Sequence, residues 1–489
     1  MRQVILLLTL LASLSLSAQE DDLQIVKGNC IPDLENGTHR APGLHKLPAV
    51  KTDWDATKTY KQLVVLVEFS DLTFRENHDV EFYEKVFNNF DTSAYEGKKR
   101  FGQGSVADYF RTQSGGLFNL SFDIVGPYQV IEEAHDNDDS YKIGILKEAT
   151  EMMVEDQQER DFTQYDWNGD GSIEQVIYVV AGPSGNVNNQ TGYLHPNTYA
   201  FGTVTTADGM KISNYSASTE IWTISAGTNC GIGTICHEFS HSLGLPDIYP
   251  TNGWCFSVCD EWDLMDGGNF TNYGWCTPSY TTLEKNLLGW YNPIELTEPA
   301  SITGLLPYSE GGDAYVIQYS DTEFLLLENR QWTKWDAGLP GKGLLVWYVD
   351  WNASAWRSNK PNNRQNNPRF RPVYADGLDY DAWKAKGGST YQNNNHMNSY
   401  YLSTSPFPYE DVNAIEEYQI TNISVDENGL VSFDYLGGDP SAIRSVDYQR
   451  SALGSQLFDL CGRPVTTTTT GQMYIVRGAD GVTKKLIAR

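Results

Sequence analysis

The string GTICHEFSHSLGLPD, Gly233 to Asp247, constrains its own folding more tightly than any other part of the chain. Ile232, Ile235, Phe239 and Leu243 recur at the spacing of one helical face, the pattern of a helix seated on an apolar core. Residues advance about 100° each around a helix, so His237 and His241 stand on the opposite face, about 40° apart. Two imidazoles one turn apart can reach the same ion. Glu238 sits beside them, too far round to ligate easily but placed to take a proton from a water held there. Gly244 ends the helix and Pro246 keeps it from resuming, which lets Asp247 fold back as a third ligand. Two imidazoles and a carboxylate leave zinc a fourth position for water, as hydrolysis requires. An ordinary surface helix with two histidines accounts for neither the Gly turn, the trailing Asp nor the apolar back face.

A second feature agrees. The string EWDLMDGG sets Met265 in a Gly-rich turn downstream of Asp247. Zinc enzymes with the longer His-Glu-x-x-His-x-x-Gly signature carry a tight turn whose methionine forms an apolar floor beneath the metal. A separate stretch, YDWNGDGSIEQVIYVV, offers oxygens at Asp166, Asn168 and Asp170 and a sharp turn at Gly171, like the first half of an EF-hand loop. Ser172 would add its backbone carbonyl, and Glu174 would ligate directly or through water. The twelfth position is Ile177 rather than Glu, and a strand follows where an EF-hand has a helix. The expectation is a structural Ca2+ loop outside the EF-hand fold. An Asx-rich hairpin turn that binds nothing is the competing reading.

The chain opens MRQVILLLTLLASLSLSAQEDD, a positive start, a short apolar run and small residues before an acidic stretch. This reads as a secretory signal peptide over 1–18; a lipid anchor or membrane helix would need a lipobox cysteine or greater length. No later segment is apolar for long enough to cross a membrane, so the mature chain is expected to be exported, to the medium or the cell surface. A formal charge of −28 argues against nucleic acid as a partner and suits hard cations. Of the cysteines, Cys230, Cys236, Cys255, Cys259 and Cys276 cluster around the histidine motif. In an oxidising compartment they would supply one or two loop-bracing disulfides.

A Pro/Gly-rich leader or short pro-segment fills 19–60, and α/β character begins at Lys61. KQLVVLVEF and QVIYVVAG read as buried strands, LFNLSFDIVGPY as an alternating strand, and GSVADYFRTQS, YKIGILKEATEMMVEDQ and PSYTTLEKNLLGW as helices. This unit spans 61–292. Strand patterns then dominate 293–436, in DAYVIQY, EFLLLENR, GLLVWYVD, EYQITNIS and LVSFDYL. The Asn/Pro-rich stretch from RSNKPNNRQNNPRFRP to YQNNNHMNSYY, which interrupts them, reads as long surface loops. GGDPSA leads to a short tail, 442–489.

Taken in order, GSVADYFRTQSGGLFNLSFDIVGPY, YDWNGDGSIEQVIYVVAG, CHEFSHSLGLPDIY, WDLMDGG and EFLLLENRQ with GLPGKGLLVWYVD resemble the immune-inhibitor-A-type metallopeptidases (cowrins), metzincin-like secreted zinc proteases. The resemblance covers roughly 61–350. It implies a metzincin-like α/β protease domain followed by a β-rich domain, with zinc on His237, His241 and Asp247, Glu238 as general base, and endopeptidase action on protein substrates. The usual metzincin pattern has a Tyr two residues after the turn methionine. Gly267 stands there instead, leaving Tyr273 and Tyr280 as candidates for stabilising an oxyanion. The tail, with DLCGRPV, GQMYIV and a basic end, is similar to the C-terminal sorting domain of type IX secretion cargo, which would bring the secretion machinery in as a partner. A small β-module finishing the preceding domain is the other reading. A monomer is expected.

The competing function is a calcium-stabilised surface adhesin or glycan-binding protein on an inactive protease scaffold. The acidic surface and Trp332, Trp335, Trp347, Trp351 and Trp356 speak for it. Two smaller points remain open. Cys30 in the leader could ligate zinc in a zymogen or be a plain surface cysteine, and His195 could line the cleft or serve structure.

Overall fold

The unbroken apolar run that begins at Lys61 lies near the middle of a sheet covered on both sides. In the computed structural model the described residues are 54–90, 104–373 apart from 140, 188–189, 191, 226, 228, 254–256, 319, 340 and 365–366, 420–438, and short strands at 411–412, 443–444, 456–458, 473–477 and 483–487. The signal peptide, Cys30, Cys255 and most of the leader lie outside the described residues.

The first unit runs β1 (Thr59–Glu68), α1 (Val80–Asn88), α2 (Val106–Gln113), β2 (Asn119–Gln129), α3 (Ile143–Asp156), β3 (Val176–Pro183), β4 (Asn197–Thr205), β5 (Lys211–Ile221) and α4 (Gly233–Ser242). Its strands form one five-stranded sheet in the order β2-β1-β3-β5-β4. All neighbours are parallel except the edge strand β4, which runs antiparallel to β5. Side chains alternate across a strand. Val64, Leu66, Ile177 and Val179 therefore pack with Phe110 of α2 and with Ile235 and Phe239 of α4 on one face. Leu63, Val65, Val67, Tyr178 and Val180 pack on the other with Ile145, Leu146, Ala149 and Met153 of α3. Burial on both faces is why these strands read as continuous apolar runs. α2 starts at a reciprocal capping box between Ser105 and Asp108.

β4 and β5 carry no strong pattern; α1 does, with an Asp79 cap and Tyr83, Val86 and Phe87 on one buried face, and sequence reading passed it over. β5 is buried over most of its length although Ser216, Ser218, Thr219 and Glu220 supply its polar half, so neither alternation nor an apolar run marks it.

After α5 (Thr282–Leu287) come β6 (Ile294–Glu295), β7 (Ala300–Leu305), β8 (Ala314–Gln318), β9 (Glu323–Arg330), β10 (Gly343–Asp350), α6 (Ala353–Arg357), β11 (Phe370–Pro372), β12 (Asp411–Val412), β13 (Ile420–Val425), β14 (Val431–Tyr435) and β15 (Ile443–Arg444). They build two five-stranded sheets, β11-β10-β9-β8-β6 and β12-β13-β14-β7-β15. β15, which the sequence placed in the tail, pairs in parallel with β7 of this region. The last described strands, β16 (Gln456–Phe458), β17 (Met473–Arg477) and β18 (Thr483–Ile487), form an antiparallel three-stranded sheet.

The β-rich half does not have a core to itself. A single apolar cluster runs from Tyr60 through Phe239 and Met265 to Leu327, Trp347 and Tyr435. Buried polar ties cross the same boundary. Arg330 Nη2 donates to Ser279 O at 3.1 Å, Ser279 N donates to Asp336 Oδ1 at 2.9 Å, and the Thr282 hydroxyl donates to Glu328 Oε2 at 2.6 Å.

Two expectations are corrected. Cys230, Cys236 and Cys259 are buried thiols outside any disulfide, and each is walled in by core rather than stapling a loop. The Asn-rich stretch after Arg357 is not simply surface, since Asn359 and Asn362 are 6% and 0% exposed.

Candidate metal centre

Every residue of α4 from Gly233 to His241 is buried. Its first turn presses so closely on the 267–275 loop that a Cβ on Gly233 would stand 2.1 Å from Asn269 O. The helix ends as its sequence demands. Gly244 takes φ 105°, its amide donates to His241 O at 3.0 Å, and Leu245 N donates to Ser240 O at 3.1 Å. This left-handed exit satisfies the last carbonyls and swings Asp247 back over the histidines.

Both imidazoles are held by their far nitrogens. His237 Nδ1 lies 2.8 Å from Leu264 O, and His241 Nδ1 lies 2.8 Å from Leu245 O. A carbonyl only accepts, so each Nδ1 carries a proton and each ring turns its Nε2 inward. Asp247 Oδ1 sits 3.3 Å from His237 Nε2 and 3.2 Å from His241 Nε2, with no donor aligned on it. One ligand atom from each residue falls within 4.8 Å of the others. Three buried acceptors facing one another require a positive guest, either a proton or a metal ion. The proton affinities say the same. Burial opposes charge on His241, but Asp247 pulls its pKa up to about 9. Burial would raise Asp247, yet the two imidazoles hold it well below the usual carboxylate range. These three residues suit zinc in donor type, number and burial.

Glu238 is buried beside them, and burial raises its pKa while His237 and His241 oppose the rise. It is positioned from β4 and β5. The Thr198 hydroxyl lies 2.9 Å from Glu238 Oε2 and 2.7 Å from Glu238 O. Ser216 Oγ lies 3.0 Å from the same carbonyl and 2.6 Å from Gln175 Oε1. Sequence reading missed Thr198 because nothing in NTYAFGTVT singles it out.

The third ligand is held from much farther along the chain. Asn359 Nδ2 donates to Asp247 Oδ2 at 2.6 Å, and the Asp247 amide donates to Asn359 Oδ1 at 2.6 Å. Only the residue type was visible in the sequence, inside a stretch rich in Asn.

Met265 is fully buried, and its turn is stitched to the site. Asp263 Oδ1 accepts its amide at 2.7 Å, its carbonyl accepts from Ile248 N at 2.8 Å, and the preceding carbonyl is the one that holds His237. Tyr280 is spent in the core, its hydroxyl paired with Ser240 and its ring packed among Tyr109, Phe110 and Trp290. Tyr273 packs against Trp222 and accepts its indole N–H through the backbone at 2.6 Å. Tyr249, which sequence reading passed over, stacks on His237 with ring centroids 6.4 Å apart. His195 packs edge-on against Tyr141 at 5.6 Å, and burial lowers its pKa to about 4.

In the acidic loop the oxygens face the loop's own amides. Asp166 Oδ1 accepts from Gly169 N at 2.7 Å and Oδ2 from Gly171 N at 2.8 Å. Asn168 Oδ1 accepts from Asp170 N at 2.9 Å, and Asp170 Oδ1 from Ser172 N at 2.9 Å. Glu174 turns the other way to accept from Trp167 N at 2.9 Å, and burial pushes its pKa up to about 7. Among the described residues, His237, His241 and Asp247 are the one group of His, Cys, Asp or Glu close enough to share an ion.

Residues 49–287 match the family model described as immune inhibitor A peptidase M6, catalytic domain. The chain is 22% identical over 271 residues to the pre-pro-metalloprotease PrtV of Vibrio cholerae serotype O1, covering 47% of this chain and 29% of that protein. It is 26% identical over 292 residues to immune inhibitor A of Bacillus thuringiensis subsp. alesti, covering 48% of this chain and 41% of that protein. The chain thus spans less than half the length of these curated relatives. Residues 49–287 are thus similar to a peptidase M6 catalytic domain, and about half of the chain to parts of these two proteins, PrtV being a metalloprotease by name.

Proposed function

We propose that the protein is an exported zinc-dependent endopeptidase that hydrolyses peptide bonds in proteins, with a metzincin-like catalytic unit. The observation that carries this reading is the convergence of two carbonyl-pinned imidazoles and the Asp247 carboxylate on one buried spot, with Glu238 alongside. His237, His241 and Asp247 would hold the ion. Zinc in that position supplies Lewis-acid polarisation of the scissile carbonyl and acidifies water. Glu238 acts as general base, takes the proton from the attacking water and passes it to the leaving amine. Thr198 keeps the Oε2 of that carboxylate in place, and the Met265 turn fixes the ring of His237 through Leu264 O. Glu238→Ala should abolish caseinolysis while zinc remains bound in metal analysis. Caseinolysis at the parent rate in that variant would remove Glu238 from the mechanism.

Export rests on the signal-like first residues, and delivery through type IX secretion on the DLCGRPV and GQMYIV tail. No described helix is long and apolar enough to cross a membrane. The Asp166–Glu174 loop is proposed to take a structural Ca2+, on the strength of its Asp-x-Asn-x-Asp-Gly spacing. The adhesin reading is not favoured. Residues 49–287 match a peptidase catalytic-domain model, PrtV is a metalloprotease by name, and Trp335, Trp347 and Trp356 are buried in the core rather than displayed for a ligand.

A further inference from the structure

We infer that Asn359, in the β-rich half and outside the matched domain, is a positioning residue for the metal centre, and that the centre is therefore incomplete within residues 61–292. The inference rests on the zinc reading above and concerns how the third ligand is aimed.

A carboxylate on a turn is free to rotate unless something fixes its second oxygen. Asn359 fixes it at two points, since its amide nitrogen donates to Asp247 Oδ2 while its carbonyl oxygen accepts the Asp247 N–H, both at 2.6 Å. One planar side chain thus spans the backbone and side chain of the ligand. With Oδ2 engaged, Oδ1 is left to face the two Nε2 atoms. The side-chain donor also stabilises the ionised form of Asp247, which a cation needs.

Asn359 is itself built in. It has φ 57°, a left-handed conformation that Asn tolerates better than most residues. It closes α6, its amide donating to the carbonyl of Trp356, which is buried and packed on Trp351 at 4.7 Å. The residues around it run alongside 247–252. Thr251 Oγ1 donates to Asn359 O at 3.1 Å, Asn362 Nδ2 to Ile248 O at 2.9 Å and Asn252 Nδ2 to Asn363 O at 3.0 Å. Residues 359–363 therefore clasp the turn that carries the third ligand, and Asn359 bonds the ligand itself.

The test uses full-length protein with Asn359→Gly, which suits the positive φ, Asn359→Ala as a second form of the same deletion, and Asn362→Ala as a control from the same clasp. Zinc affinity is measured by competition with a chromophoric chelator, and thermal unfolding is followed on the metal-free proteins. Loss of an outer partner to a metal ligand weakens affinity about 10- to 100-fold. That loss is expected in both Asn359 variants, whereas Asn362→Ala should lower the unfolding temperature and keep parental zinc affinity. Parental affinity in both Asn359 variants, or an equal loss in Asn362→Ala, would overturn the assignment. A parent protein that binds no zinc would instead overturn the zinc reading on which it stands.

Discussion

Two stretches of this chain gather the side chains that cations prefer, and they are constructed in opposite ways. The 237–247 segment is buried, and its donors are aimed by groups outside it, namely Leu264 O, Leu245 O and Asn359. Its inner atoms, His237 Nε2, His241 Nε2 and Asp247 Oδ1, face one another. The 166–174 loop lies largely at the surface, and its oxygens close on its own amides at Gly169, Asp170, Gly171 and Ser172. The first arrangement stores an unmet demand for positive charge. The second meets its own demand with its own amides. Ligand spacing in a sequence is thus necessary for a site, while outward anchoring of those ligands separates a poised site from a well-made bend.

The contrast can be broken at several levels. The largest effect should follow metal removal. A zinc chelator is expected to bring proteolysis to background and added zinc to restore it, and activity that survives exhaustive chelation would end the comparison. Next, His241→Ala leaves Asp247 buried with half its positive surroundings gone, a loss worth about 3–5 kcal/mol in buried pairs. Denaturant unfolding of the metal-free protein should show it, whereas Asp170→Ala, which removes the one loop bond from Ser172 N, should cost about 1 kcal/mol, the worth of an ordinary hydrogen bond. Equal costs would mean the two stretches are not different in kind. Thr198→Val removes the donor to Glu238 Oε2 and should lower kcat about tenfold, equivalent to one hydrogen bond, with KM little changed and Thr198→Ser near parental.

The smallest effects belong to the loop. Burial raises the Glu174 carboxyl from 4.5 to about 7, so the folded state holds a proton that the unfolded state releases. That stabilisation is complete below about pH 4.5 and is lost as pH climbs through about 7. Unfolding measured across this range should show a slope that Glu174→Gln flattens. Saturating Ca2+ should raise the melting temperature by a few degrees; an unchanged melting temperature would leave the loop a self-contained turn.

How much was legible in the sequence follows from how local each cause is. α4 and its exit could be read because the apolar stripe, Gly244 and Pro246 all act within one stretch of chain. β9 and β10 were readable as unbroken apolar runs. β5 was not, because its burial is met with hydroxyls bonded to other strands, as Ser216 is to Gln175. Thr198 and Asn359 were hidden for a related reason. Each acts through a single hydrogen-bonding group whose partner is set by the packing of distant elements. The apolar cluster that joins Leu327 and Trp347 to the first unit was hidden too, since both residues look equally apolar whichever half they pack against.

The bond between Asn359 and Asp247 joins residues 112 positions apart, and that separation sets a schedule. A chain emerging amino terminus first presents its histidine helix and its aspartate long before the residue that steadies them has appeared. Until residue 359 follows, Asp247 lacks the side chain that holds its second oxygen and its amide.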